Sequence, residues 1–475
     1  MVISIKKERR FAMKRDKDPV KIEKEIAKRQ KQLDKREGKS YYFYLFFIIS
    51  IVYITDEVAS AIASFMQQDI AKDIASLETL NKITFLSFPL MALGVLYKPL
   101  ADRFGRKPFL ILNTFGMCFG LIIIYMTHNL AGYIAGTVLT QFFITHDMQV
   151  VYIMESAPDK HRAKIYSSIK CVAMLGVTLI PLLRKTMMHS TSDWRNVFLV
   201  PALMGVAVCI AAIFLAKETD AFNIARINEL KGIAKTEEGN SSGGGIINAL
   251  KFGFRHKQTK WLFLALVFCE TGFIFTIDYQ SIMTFGYVKN AMAQALFTDM
   301  ETASESILMN EITTALFFYP IGCALSQLIP GFISDKKGRR FSAIAMSASA
   351  VVLFLAFWLG AEKGLPPQLV GFLCGGSVGT FWANIDTISL MAGESTPTEL
   401  RSSMLSAIYL PLGLGIGFSF GVSFLCMRLF SEQAIGIISL CLAVPGLLAD
   451  FFILSLRVKE TAGVDLKEID GSEYD

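Results

Sequence analysis

Runs of about 20 apolar residues recur from one end of this chain to the other. As a helix, that length crosses a hydrocarbon core of roughly 30 Å. Lipid offers no partner for backbone N–H and C=O, so segments this apolar must cross as helices. About twelve runs can be counted, near 41–65, 81–100, 108–127, 131–154, 163–183, 195–216, 259–283, 309–333, 341–360, 365–392, 402–427 and 435–456. Only 19% of residues are charged, against about 25% in soluble domains. The expected fold is an all-α integral membrane protein with twelve transmembrane helices.

A repeat then divides the chain. Lys98-Pro-Leu-Ala-Asp102-Arg-Phe-Gly105-Arg106-Lys107 is a short basic turn between two apolar runs, and it returns as Gly331-Phe-Ile-Ser-Asp335-Lys-Lys-Gly338-Arg339-Arg340 at an offset of 233. Glu155-Ser-Ala-Pro-Asp-Lys-His-Arg162 returns as Glu394-Ser-Thr-Pro-Thr-Glu-Leu-Arg401 at an offset of 239. Lys217-Glu218-Thr219 returns as Lys459-Glu460-Thr461 at 242, and Asn81-Lys-Ile-Thr84 resembles Asn310-Glu-Ile-Thr313. Matches in one order with slowly drifting offsets mark a duplication. The expected organisation is a basic tail over 1–40, a six-helix bundle over 41–218, a polar loop over 219–258, a second bundle over 259–461 and a tail over 462–475. The loop contains Gly239-Asn-Ser-Ser-Gly-Gly-Gly245, the composition of a flexible linker.

The net charge of +6 follows from where Lys and Arg sit and does not point to nucleic acid. The tail, the 98–107 and 336–340 turns and the 217–260 loop are basic, whereas 66–80 and 284–308 carry acids. By the positive-inside rule both termini are cytoplasmic. The basic tail reads as a solvated juxtamembrane helix or a disordered segment, with contact to anionic lipid headgroups as its functional alternative. No apolar signal core precedes Tyr41. All eight cysteines fall inside the apolar runs without ligand spacing, so neither a metal site nor a disulfide framework is expected.

The repeated G-x-x-x-D-x-x-G-R-[KR] turn, the E-x-x-P-x-x-x-R motif and the closing Glu-Thr pairs together resemble the major facilitator superfamily over about 41–461. Asp193-Trp194-Arg195 and the tail from Glu460 resemble its sugar-porter and metabolite–proton symporter branches. The resemblance implies two pseudo-symmetric six-helix bundles in the plasma membrane, working by alternating access without a cofactor, as a monomer. It also implies a cytoplasmic charge network, closed when the substrate site faces outward, built from Lys98, Asp102, Gly105, Arg106, Lys107, Glu155, Arg162, Gly331, Asp335, Gly338, Arg339, Arg340, Glu394 and Arg401. Position 98 departs from the pattern, since a Gly is expected where Lys98 stands. Ordinary helix-end charges are the alternative reading of the basic members.

Ionisable residues inside the spans are the more informative, because each costs about 2.5–3.5 kcal/mol at mid-bilayer on insertion scales. They are Asp56 and Glu57 in helix 1, His146 and Asp147 in helix 4, Lys170 in helix 5, Glu270 and Asp278 in helix 7, and Asp386 in helix 10. In the superfamily, helices 1, 4, 7 and 10 line the central cavity. Asp147 and Asp386 share the 239 offset and each precedes its motif Glu by eight residues. A buried carboxyl that cycles between charged and neutral is the natural coupling group for a proton, and Asp56 is the first choice. Lys170 could attract a carboxylate or phosphate, or neutralise Asp56 or Asp147. Trp382, Asn384, Thr387 and Tyr409 are cavity positions by location. The two Gln that sugar porters carry before the helix 7 Gly are absent from Phe268-Cys-Glu270-Thr-Gly272, which argues against hexose. The expected function is proton-coupled uptake of a small organic acid or sugar-like metabolite. Efflux by antiport and a transporter-like sensor are the alternatives. No nucleophile–base set or nucleotide motif suggests an enzyme.

Overall fold

The structure, a computed structural model, describes residues 19–34, 39–84, 86–87, 101, 104–144, 152, 162–231, 244–396, 404 and 407–462. Every regular element among them is helical. The first half holds α2 (Lys39–Phe65), α3 (Gln67–Asp73), α4 (Arg106–Met126), α5 (Leu130–Phe143), α6 (Arg162–Gly176), α7 (Leu179–Met187) and α8 (Trp194–Leu215). The second holds α11 (Lys257–Glu270), α12 (Phe273–Ala293), α13 (Met300–Ile307), α14 (Thr313–Lys337), α15 (Arg339–Glu362), α16 (Pro367–Glu394), α17 (Tyr409–Leu429) and α18 (Ile435–Arg457). Three shorter helices lie outside these bundles: α1 (Pro19–Asp34), α9 (Asp220–Leu230) and α10 (Gly244–Arg255).

Nine helical stretches among the described residues are long and apolar enough to cross a bilayer, and each coincides with an expected span. The expected fourth span is represented by α5, a shorter apolar helix. The expected tenth is the 28-residue α16, whose Gly, Ser, Thr and Asn dilute its apolar content. Most of 81–100 lies outside the described residues. Large apolar side chains such as Phe115, Phe119, Ile210, Phe214, Phe418 and Phe452 stand on the outer surface. In water such a surface would be an aggregation liability, and in a bilayer it is the solvated face.

Each bundle is built by neighbouring helices with its own apolar filling, and α6 of the first half packs broadly on α14 of the second. The closest packing is between α14 and α16. A Cβ on Gly371, Gly375 or Gly379 would stand 1.9, 1.8 or 2.8 Å from the carbonyl oxygens of Ala315, Tyr319 and Cys323. The three glycines recur every fourth residue and so form one stripe, which lets two helix backbones touch. The glycines of α17 do not all pack in this way. Only Gly415 meets a neighbour, while Gly413, Gly417 and Gly421 have nothing within 4 Å among the described residues.

Two expectations outside the bundles change. The central loop is not simply flexible, because it contains α9 and α10, with 232–243 outside the described residues. Each helix has an apolar side to bury: Phe222 and Ile227 on α9, Ala249 on α10. The basic tail contributes α1, which docks on α9 instead of standing in solvent. Arg29 donates to Asn223 at 2.9 Å and to Glu25 on its own helix, and lies over the Phe222 ring.

Candidate functional site at the junction of the halves

The seventh span is broken. Helix α11 ends at Glu270 and α12 begins at Phe273, with Thr271 and Gly272 donating to Phe268 and Cys269 carbonyls in tightened turns. This break and the α6–α14 contact set the geometry of the junction.

At its centre Lys170 on α6 forms an ion pair with Asp386 on α16, so one charged contact ties the two halves together. The sequence raises Asp56 and Asp147 as partners; the pair is with Asp386, and Asp147 lies outside the described residues. The Lys170 side chain is 9% exposed and that of Asp386 35%. Tyr166, one turn before Lys170, places its ring 5.7 Å from the ammonium. Glu57 on α2 lies within electrostatic reach of the same ammonium, and Tyr53 on α2 within reach of Glu57 and Asp386, hydrogen-bonded to Tyr166. Tyr319 on α14 completes the surround, within reach of Glu57. Trp382 stands one turn before Asp386 and meets Phe273 edge-on at 5.9 Å. The site is therefore a cation held by one acid with a second acid beside it, inside an aromatic wall.

Toward the end opposite the Gly105 and Gly338 turns, Phe65 sets its edge against Tyr279 and Tyr319, which stack at 4.6 Å. Beyond that lies a polar layer between the halves. Gln67 donates to Asp278 at 2.8 Å and to Asn81 at 3.0 Å, and Asn81 donates to Asp278. Gln68 donates to Ser281 at 2.7 Å. Arg184 on α7 pairs with Asp69 on α3 through two donors and reaches Thr313 on α14 at 2.9 Å. Both members of the Arg184–Asp69 pair are 0% exposed. This end is shut. Asp278 belongs to the seal and not to the central group.

At the basic end, Gly105 and Gly338 take φ of +107° and +95°, the left-handed region that favours glycine. Each turn feeds a helix whose first amides are capped from far along the chain. Glu218 accepts from the Arg106 and Lys107 amides at 2.8 and 3.3 Å. Glu460 accepts from those of Arg339 and Arg340 at 2.7 and 3.1 Å. A carboxylate on a helix N-terminus meets both free N–H groups and the favourable end of the helix dipole. Arg339 also reaches Glu394, which accepts from Thr461 at 2.6 Å. Lys98, Asp102, Glu155 and Arg401, like His146 and Asp147, lie outside the described residues. Arg162 opens α6, Asp335 lies near the end of α14 and Gly331 is buried within it. Glu218 and Glu460 were legible only as a repeated Glu-Thr pair, with no role attached.

The remaining candidates face into one half or the other. Asp56 is buried within electrostatic reach of Cys118 on α4 and Cys209 on α8, inside the first bundle. Asn384 points away from the centre and donates to Asp450 on α18 at 2.6 Å, with Cys269 3.5 Å from the same amide. Asp450 went unread although it interrupts the last apolar run, the signal that singled out the other acids. Tyr53 and Tyr166 carried no such signal, since a tyrosine in a span is unremarkable.

The sequence profile of the Major Facilitator Superfamily matches residues 45–298. The chain is 23% identical over 351 residues to the alpha-ketoglutarate permease of Escherichia coli, covering 70% of each. It is 24% identical over 330 residues to the cis,cis-muconate transport protein of Acinetobacter baylyi, covering 67% of this chain and 71% of that one. In three dimensions it is similar to the proton:xylose symporter XylE bound to 6-bromo-6-deoxy-D-glucose, with a TM-score of 0.62 at 15% identity over 92% of this chain and 100% of the other.

Proposed function

The chain belongs to the Major Facilitator Superfamily, and from that premise we propose that it takes up a small organic acid by proton-coupled alternating access. The observation that carries this reading is the Lys170–Asp386 pair between the halves. A cation in a low-dielectric junction must be neutralised. Asp386 does so in this state. An incoming carboxylate offers the same chemistry, can displace Asp386 and so alters the tie between the halves. Two relatives are named for alpha-ketoglutarate and muconate, both dicarboxylates, which supports an anion over a hexose. Tyr53, Tyr166 and Glu57 would orient the acid and hold its proton inventory. With the Arg184–Asp69 end taken as extracellular, the site meets water from the cytoplasmic side, and this is the releasing state.

Coupling requires a carboxyl that can be loaded, and Asp56 is the residue of the first half we assign to it. Proteoliposomes carrying the purified protein test both statements. Radiolabelled alpha-ketoglutarate should accumulate under an inward proton gradient, with xylose a poor competitor. Lys170→Gln should lose uptake by at least tenfold. Asp56→Asn should lose gradient-driven accumulation more than counterflow. Uptake of xylose in preference to the dicarboxylate, or full uptake by Lys170→Gln, would sink the substrate assignment.

A further inference from the structure

Four acids lie deep inside the spans of the second half, Glu270, Asp278, Asp386 and Asp450, whereas its other helical acids stand near helix ends, and no Lys, Arg or His stands in the middle of any of the described helices of this bundle. Three of the four are answered. Asp386 has Lys170 from the first half, Asp278 has the amides of Gln67 and Asn81, and Asp450 has that of Asn384. Glu270 is 0% exposed, and neither of its carboxyl oxygens has a hydrogen-bond partner among the described residues.

We propose that Glu270 is a proton-binding site belonging to the second half, loaded at the break between α11 and α12 and separate from the Lys170–Asp386 site. An ionised carboxylate sealed from water without a partner is strongly disfavoured, so the group holds a proton in this state. A proton kept only for structure would be donated to an acceptor, and here neither oxygen meets one. Leu would fill the space without an unpaired polar group. A carboxyl retained in such a place fits a cycle in which it later meets water.

The surroundings supply a route to that state. Glu270 is the last residue of α11, immediately before the Thr271–Gly272 break, where regular helix pairing has already lapsed. Gly415 of α17 lies against it, and a Cβ there would come within 2.6 Å of the Glu270 Cβ. The absence of a side chain at Gly415 thus lets α17 lie directly over the base of the Glu270 side chain, and α17 is the helix whose movement would have to open a path to it. Of the other helices packed on α11, α18 brings Asp450 to the neighbouring Cys269, and α16 brings the neutral Asn384. Of the cations of α10, α17 and α18, Lys251 is exposed on α10, and Arg428 and Arg457 are exposed at the ends of their helices. Asp450 has one carboxyl oxygen without a partner among the described residues, so it is the second group whose protonation must be followed.

Infrared difference spectroscopy on the full chain in lipid nanodiscs decides the state of Glu270 without any substrate. At neutral pH the wild type should show protonated-carboxyl bands that shift in D2O within minutes. Glu270→Gln should remove one band, Glu270→Asp should move it, and Asp450→Asn should remove a different one. Loss from the ionised-carboxylate region instead, no loss at all, or a Glu270 band that never exchanges would overturn the proposal. A second arm rests on the proton-coupled reading above and uses alpha-ketoglutarate in proteoliposomes. The number of protons per substrate should fall by one in Glu270→Gln, and an unchanged ratio would reduce Glu270 to a structural acid. Failure of the wild type to carry alpha-ketoglutarate would refute the substrate assignment, leaving the infrared result to decide Glu270.

Discussion

Replacing Arg184 with Met should unlock the closed end of the protein. Arg184 and Asp69 are both wholly buried, and the guanidinium also serves Thr313 and the Leu308 carbonyl across the junction. The substitution leaves the Asp69 carboxylate buried without its cation. Breaking a buried pair from one side costs about 3–5 kcal/mol. At about 1.4 kcal/mol per tenfold change, the closed-to-open equilibrium should move by roughly two to three and a half powers of ten. Removing both charges, as Arg184→Met with Asp69→Leu, leaves no stranded ion and should restore most of the closure. Thr313 keeps a bond to the Leu308 carbonyl at 3.1 Å in that case. The readout is labelling of a cysteine placed at Ile70, buried at 0% exposure beside Asp69, by a membrane-impermeant maleimide. Labelling should be slow in the Ile70→Cys parent, faster by about the stated factor with Arg184→Met, and slow again in the double replacement. Equal rates in parent and single variant would refute the reasoning, as would equal rates in the single and double variants, since the effect would then not be a stranded charge.

Four further outcomes are expected. Gly375→Ala puts a methyl 1.8 Å from the Tyr319 carbonyl oxygen and should lower the melting temperature sharply, whereas Gly413→Ala meets nothing and should be silent; overpacking of this kind costs about 1–3 kcal/mol. Gly105→Ala forces a side chain into positive φ and onto Glu218, so amide exchange at Arg106 and Lys107 should accelerate, and Glu218→Gln should produce a weaker form of the same change. The Thr302 amide and hydroxyl hold the Asp299 carboxyl below the usual carboxylate range. That cap stabilises α13 above about pH 3.9 and is lost as pH falls, so the protection of the Thr302 amide, taken relative to its intrinsic exchange rate at each pH, should fall on acidification in the wild type and stay level in Asp299→Asn. Arg29→Ala should free α1 from α9, seen as new protease cleavage within 19–34 and reduced protection of Asn223.

Much of this architecture could be read from residue order because its causes are local. Apolar length places the spans, and the Gly105 and Gly338 turns announce themselves by spacing and reappear with positive φ. Pairings between helices carry no such trace. Helical spacing tells which residues share a face with Asp386, but not that Lys170 chooses it. Arg184 was passed over because the fifth span was ended at 183, one residue short. Asp56 and Asn384 were placed in the cavity by helix membership alone, and a helix also has a side that faces its own bundle. The central loop misled through composition, since a few apolar residues suffice to dock a short helix once a surface is there.

The caps at the basic end have one more consequence. Glu218 and Glu460 each follow the last helix of a bundle and clamp the turn between its second and third helices. Each half thus ties a residue just after its last described apolar helix back to an early turn of the same half. Each clamp finds its partner within its own half, so neither cap depends on the other half. Residues 232 to 243 lie between these two closures in sequence. A protein made as two separate polypeptides divided there should reassemble, in the way that an ancestral pair of unlinked copies would have done before their fusion.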